Sequence, residues 1–251
     1  MPEPDARIAV LIDADNTSPK HLTNLLDELS QYGRATVKRA YGDWTTDQLS
    51  GWKKELNQRA ISPVQQFAYT TGKNATDSAL IIDAMDLLYS GNVDAFALVS
   101  SDSDFTRLAT RLRESGKTVY GLGMRKTPVS LVAAVDRFIF LELLGDQPDV
   151  TAEPPADGAP LPNLQSILTK AVNRAAQDDG SANLGAIGTQ LRSADAAFDT
   201  RLYGFDRLIT MVKAQSFLSV TGTGSTTRVS LKGGGRTAVK KAPAKKAAAE
   251  K

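Results

Sequence analysis

The chain of 251 residues contains no cysteine and only one histidine. The absence of cysteine excludes disulfides, thiolate nucleophiles and Cys-ligated zinc or iron–sulfur sites, and it fits a cytoplasmic protein. The lone His21 excludes multi-histidine metal sites and has no catalytic partner nearby in the sequence. No run approaches about 18 apolar residues, so no transmembrane helix is expected. Metal chemistry would therefore depend on carboxylates, which favour Mg²⁺ or Mn²⁺.

Charge and composition divide the chain into four parts. Residues 232–251 carry seven Lys and Arg and one Glu, whereas the preceding residues carry 23 Lys and Arg against 27 Asp and Glu. This Lys/Ala-rich stretch lacks the bulk to form a core and is predicted to be a disordered arm that binds nucleic acid or solubilises the chain. The segment 145–160 holds four prolines and four acids. We predict a domain over 1–145, a linker over 146–160, a second domain over 161–231 and a tail over 232–251.

The first domain alternates apolar, strand-like runs with amphipathic, helix-like segments. Strands are predicted over 8–12, 34–41, 61–69, 95–99 and 118–122. Helices are predicted from Pro19 to before Gly33, and over 46–59, 76–88, 105–113 and 129–135, and residues 138–144 close the domain. Continuous apolar runs are typical of strands buried on both faces of a parallel sheet. The pattern predicts an α/β three-layer fold with a mainly parallel sheet.

Aspartates follow two of these strands and open one helix. Asp13 and Asp15 follow the first strand, Asp102 and Asp104 follow the fourth, and Asp77 lies at a helix start. A single Asp at a strand end is often only a turn or capping residue, but the joint pattern favours a site. If the two strands are neighbours, these carboxylates converge outside the carboxyl ends of the sheet. A divalent cation is the natural partner for such a cluster and activates water against phosphodiesters.

Three blocks, residues 10–16, 76–85 and 98–105, resemble NYN domains, the PIN-like ribonucleases of the bacterial LabA/DUF88 kind. The resemblance covers residues 7–143 in the family's order. It implies that divalent metal, Mg²⁺ or Mn²⁺, is held for RNA cleavage by four catalytic acids: Asp13, Asp77, Asp102 and Asp104. Asn16 matches the asparagine that follows the first acid. Asp15 and Ser101 stand where many relatives carry other residues, and we assign both a supporting role.

The second domain has the order helix, helix, helix and hairpin, which is the order of a winged helix. Residues 184–188 and 198–205 resemble the OST-HTH (LOTUS) domain. This resemblance implies RNA binding or protein partners. Because PIN-like domains often pair, the first resemblance also implies that this protein can form a homodimer.

Basic residues in both domains are candidates for RNA contacts. Near the strand ends of the first domain these are Lys73, Lys38 and Arg39. In the second domain Arg201 and Arg207 belong to a basic face with Arg192, Lys213 and Arg228. Because the second domain is nearly balanced in charge, electrostatics alone would make it a weak RNA binder.

Three functions stay open from the sequence. The first is a metal-dependent ribonuclease whose second domain binds RNA. A second is a haloacid-dehalogenase-type phosphatase, because residues 12–17 fit a DxDxT loop in which Asp13 attacks phosphorus. The third is an RNA-binding regulator or adaptor without turnover.

Overall fold

A computed structural model describes residues 5–67, 75–145 and 161–232. The predicted linker, Lys73 and the predicted tail beyond Lys232 lie outside these residues. We call residues 5–145 the large domain and residues 161–232 the small domain. Within the described ranges, no helix has the length and apolar character needed to cross a membrane.

The large domain alternates strands and helices in the predicted order. Its strands are β1 (Arg7–Asp13), β2 (Arg34–Gly42), β3 (Ser62–Gln65), β4 (Ala95–Val99), β5 (Thr118–Gly123) and β6 (Arg137–Phe140). Its helices are α1 (Leu22–Ser30), α2 (Trp52–Gln58), α3 (Ala75–Ser90), α4 (Thr106–Glu114) and α5 (Val129–Ala134). This arrangement confirms the predicted α/β class.

The strands form one parallel sheet in the order β3-β2-β1-β4-β5-β6. The chain moves outward from β1 through β2 to β3, then returns to the other side of β1 with β4. The order therefore reverses between β1 and β4, where Ile12 lies opposite Val99. A crevice for ligands opens at such a reversal, outside the carboxyl ends of the strands.

Both faces of the sheet are covered by helices. Ile8, Val10 and Ile12 of β1 belong to a core that includes residues of α1 and α2. Ala9 and Leu11 point to the other face, into a core with α3, α4 and α5. Successive strand residues face opposite sides, so an uninterrupted apolar run is needed to fill both cores. These cores fix the ends of β1 and β4, from which the acidic residues project.

Two predicted elements of the large domain are corrected by the structure. The helix predicted over 46–59 is divided into a 3-10 turn at Asp47–Leu49 and the shorter α2. Gly51 lies at the break, and Gly is a poor helix former. The strand predicted over 61–69 is limited to β3 at the sheet edge, whose first two residues, Ser62 and Pro63, are exposed. An edge strand with few buried positions has little packing to extend it.

The small domain consists of helices packed on a three-stranded sheet. Its elements are α6 (Leu164–Ala175), β7 (Ser181–Asn183), α7 (Leu184–Ala194), α8 (Leu208–Lys213), β8 (Leu218–Thr221) and β9 (Arg228–Leu231). The order of its sheet is β7-β9-β8. The predicted hairpin is present, whereas β7 was missed because three residues carry no periodic signal. Its core has its own apolar cluster, which includes Leu168, Ile187 and Met211.

The small domain is docked on the β6 edge of the sheet. The backbone N–H of Phe138 donates to the carbonyl of Ala196 at 2.8 Å. Arg201 donates to Glu28 Oε2 at 3.4 Å and to the Leu143 carbonyl at 3.3 Å, while Asp199 holds the same guanidinium. Glu28 is buried. The Arg201–Glu28 pair is thus a charged contact between the two domains.

Replacing Arg201 by Ala is expected to loosen this docking by about 1–3 kcal/mol, because a charged donor to a buried carboxylate is lost. Amide hydrogen exchange should become faster around residues 28–32 and 195–203 and at the Phe138 N–H, which donates to Ala196, with the rest of the large-domain sheet unchanged. Arg174→Ala is the matched control, since Arg174 is exposed in the same domain. Equal exchange in the two variants would contradict the structural role of Arg201.

Candidate active site

Asp13 lies at the bottom of the crevice between β1 and β4. Its side chain has no exposed surface. The Ser100 hydroxyl donates to Asp13 Oδ2 at 2.8 Å, and Asn16 donates to it from Nδ2 at 3.0 Å. The backbone N–H of Asn16 donates to Asp13 Oδ1 at 3.2 Å. Burial raises the pKa of Asp13, and these hydrogen bonds oppose that rise.

Three further carboxylates converge above Asp13. Asp77, Asp102 and Asp104 each place one carboxylate oxygen within 4.8 Å of the other two. Asp77 lies in the first turn of α3. Asp102 follows β4 and caps the 3-10 turn at Ser103–Phe105, where it accepts the N–H of Asp104 at 2.9 Å. Three hard oxygen donors at this spacing suit Mg²⁺ or Mn²⁺.

The negative charges of the cluster raise the pKa of Asp77. Its pKa is raised to about 6, first by partial burial and then by the negative charges of Asp13, Asp102, Asp104 and Asp15. The charge of Asp13 is the largest of these four influences. Four acids therefore act on one carboxylate, so a bound cation would relieve a repulsion that the fold has created.

The comparisons with known proteins identify both domains. Residues 7–142 match the NYN domain family, more than half of the chain. The chain belongs to the NYN family. Residues 159–230 match the OST-HTH/LOTUS domain. Both resemblances expected from the sequence are thereby confirmed.

Individual relatives carry less information. An uncharacterized protein of Methanocaldococcus jannaschii is 30% identical over 122 residues, which are 47% of this chain and 47% of that protein. The chain thus spans about half the length of this curated relative. A crystal structure of a Vibrio parahaemolyticus protein of unknown function is 20% identical and covers 56% of this chain and 95% of its own, with a TM-score of 0.46. A solution structure from Chromobacterium violaceum is 37% identical over 30% of this chain and 85% of its own, with a TM-score of 0.25.

The three residues predicted to support the site, Asn16, Asp15 and Ser101, contact different parts of the large domain. Asn16 contacts Asp13, as described above. Asp15 accepts the Thr76 hydroxyl at 2.8 Å and the backbone N–H of Asp43 at 3.4 Å. Ser101 accepts the backbone N–H of Met124 at 2.8 Å, which ties the loop after β4 to the end of β5.

Sequence reasoning missed Ser100. This buried residue donates to Asp13, and its oxygen accepts the backbone N–H of Asp102 at 3.1 Å. Ser100 thus joins the end of β1 to the acidic loop after β4. The available signal was a hydroxyl directly after a fully apolar strand, at the position where β4 meets β1.

The predicted RNA-contact residues occupy different environments. Arg39 pairs with Asp83 at 2.7 Å, and the Tyr41 hydroxyl donates to the same carboxylate. Lys38 donates to the carbonyl of Arg59. Arg201 lies in the domain interface, and Arg207 is exposed. Of these four, Arg207 is the cation most open to an added phosphate.

Proposed function

We propose that this protein is a metal-dependent ribonuclease in which Asp13, Asp77, Asp102 and Asp104 form the catalytic metal site. The convergence of three carboxylates beside a fourth, buried one carries the proposal. Membership of the NYN family, a PIN-like nuclease fold, supports hydrolysis of nucleic acid. The match to OST-HTH/LOTUS supports RNA as the bound polymer.

The four acids have different tasks in this proposal. Asp77, Asp102 and Asp104 would hold Mg²⁺ or Mn²⁺, because their oxygens already face a common point. Asp13 would contribute a rigidly positioned, buried carboxylate, since Ser100 and Asn16 donate hydrogen bonds to it. When bound, the cation supplies Lewis-acid chemistry that activates water and neutralises phosphate charge. No covalent enzyme intermediate is required.

The small domain and the tail are proposed to hold RNA near this site. Arg207 offers an exposed charge on the small domain, and residues 232–251 are rich in Lys. Contacts from Lys38, Arg39 and Arg201 would require each side chain to exchange its present partner for a phosphate. Loss of affinity with rising salt would report how many phosphates are neutralised.

A cleavage assay tests the proposal. Single-stranded and structured RNAs are incubated with the full chain in Mn²⁺, in Mg²⁺ and in EDTA. We expect cleavage with one or both metals and none in EDTA. RNA binding without cleavage in every condition would favour the adaptor function instead. A phosphorylated Asp13 trapped from a phosphomonoester would favour the phosphatase alternative.

A further inference from the structure

A cavity of about 750 Å³ opens on the surface of the large domain. It lies between the loop after β2, helix α2 and the edge strand β3. Apolar side chains form most of its wall, with a few polar groups among them. The lining residues that matter here are Trp44, Leu49, Lys53, Leu56, Asn57 and Pro63.

The Trp44 ring is held in a fixed orientation at this cavity. Its Nε1–H donates to the Val64 carbonyl at 3.0 Å, and its backbone N–H donates to Gln65 Oε1 at 3.0 Å. Its edge meets the buried Trp52 ring at a centroid distance of 6.4 Å and an angle of 80°. Three contacts thus position an aromatic surface that is only partly buried, so little entropy is lost when a second ring stacks on it.

The cavity is joined to the acidic crevice through Gly42 and Asp43. A Cβ placed on Gly42 would lie 2.6 Å from Leu49 Cδ1 and 3.1 Å from Asp15 Oδ1, so the cavity wall and this carboxylate are close neighbours. The backbone N–H of Asp43, the residue before Trp44, donates to Asp15. Asp15 in turn is one of the charges that raise the pKa of Asp77.

The polar groups at the cavity fit one part of an RNA strand. Lys53 is exposed and makes no ion pair in the part of the chain that the structure describes. Asn57 supplies both a donor and an acceptor to the edge of a heterocycle. An aromatic face combined with a cation is how proteins bind single-stranded nucleic acid through its bases and backbone.

We propose that this cavity receives an unpaired nucleobase of the substrate, stacked on Trp44, with Lys53 at its phosphate. The inference rests on the proposed ribonuclease function, because the neighbouring acids are where the strand would be cut. A base held in a duplex is already stacked and paired and would have to leave the helix to enter. In this proposal the cavity favours RNA that is single-stranded at the nucleotide it binds.

Fluorescence of Trp44 tests this inference without any cleavage. The chain has only two tryptophans, so a Trp52→Phe variant leaves Trp44 as the sole reporter. Asp102→Asn is added, and EDTA is present, so that the RNA stays intact. We expect a single-stranded oligonucleotide of about four nucleotides to quench the emission. A blunt duplex of the same sequence should quench it much less.

Affinity provides the second measurement. In the full chain, Trp44→Leu is expected to weaken binding of the same oligonucleotide about 10-fold to 100-fold, because base stacking is lost. Tyr89→Leu is the matched control, since Tyr89 is an aromatic residue that is 73% exposed on α3, outside the cavity. Lys53→Ala should weaken binding less and reduce its salt dependence.

The outcomes distinguish a failure of the base-binding proposal from a failure of the proposed ribonuclease function. Unchanged Trp44 emission at saturating RNA would overturn the inference. Equal RNA affinities of the Trp44→Leu and Tyr89→Leu variants would overturn it as well. Binding of a protein segment in the cavity, in place of a nucleobase, would also contradict it. Quenching in a protein that cleaves no RNA with any metal would uphold base binding and reject the nuclease. RNA cleavage by the wild-type chain without quenching of Trp44 would uphold the nuclease and reject base binding in the cavity.

Discussion

Replacing Asp102 by Asn is expected to lower metal-dependent RNA cleavage by about a thousandfold. The amide removes one negative charge from the three-carboxylate cluster and offers a single neutral oxygen to the cation. Asn caps helical turns as well as Asp does, so the bond from the Asp104 N–H to residue 102 can persist. The loss should appear in the cleavage rate with Mn²⁺ and Mg²⁺ at equal protein concentration.

The matched control for this substitution is Asp86→Asn. Asp86 lies on α3, the helix that also carries Asp77, but its side chain is exposed, and among the residues that the structure describes it belongs to no acidic cluster. We expect its cleavage rate to stay within about twofold of wild type, since exposed substitutions away from such features have small effects. Thermal melts in EDTA should show both variants folded. Near-normal cleavage by the Asp102 variant would reject its place in the metal site.

The second large effect concerns Asp77 and pH in the metal-free protein. Its pKa in the folded chain is about 6, above the ordinary value, so the folded state binds this proton more tightly than the unfolded state. The contribution of Asp77 to the free energy of unfolding therefore falls as pH rises from about 4 to about 6 and levels off above that. At pH 7.5 in EDTA, Asp77→Asn is expected to be more stable than wild type by about 1–2 kcal/mol.

Thermal melts across this pH range measure the effect. The stabilisation by Asp77→Asn should shrink toward pH 4, and Asp86→Asn should show no such pH dependence. Adding Mn²⁺ should stabilise wild type at pH 7.5 by linkage and stabilise the Asp77 variant much less. The metal effect should weaken below pH 6, where protons compete for the carboxylate. Destabilisation by Asp77→Asn at every pH would contradict the repulsion that we infer.

Local patterns placed the candidate acids at the ends of strands and at the start of a helix, but did not distinguish their environments. Asp13, Asp77, Asp102 and Asp104 looked equivalent in sequence. The structure places three of them together and buries Asp13 beneath, held by Ser100 and Asn16. Burial and hydrogen bonding depend on which strand lies beside which, and strand neighbours are not encoded in any local window.

The environments of the predicted RNA-contact cations could not be predicted from the sequence either. Lys38, Arg39 and Arg201 were identified by charge and by position relative to predicted elements. The structure gives each a protein partner: a carbonyl, Asp83 and Glu28, respectively. These partners are 21, 44 and 173 residues away from the three cations along the chain. No pattern along the chain indicates such pairs.

The sequence by itself determined the alternation of strands and helices, because periodicity and apolar runs are local and both faces of a parallel sheet must be filled. It also determined the positions of the acids at strand and helix ends. Only the tertiary structure decided that β1 lies beside β4, that the small domain covers the β6 edge, and that Trp44 forms the wall of a cavity next to Asp15. These features arise from contacts between distant residues, whose energies depend on the packing of the whole fold.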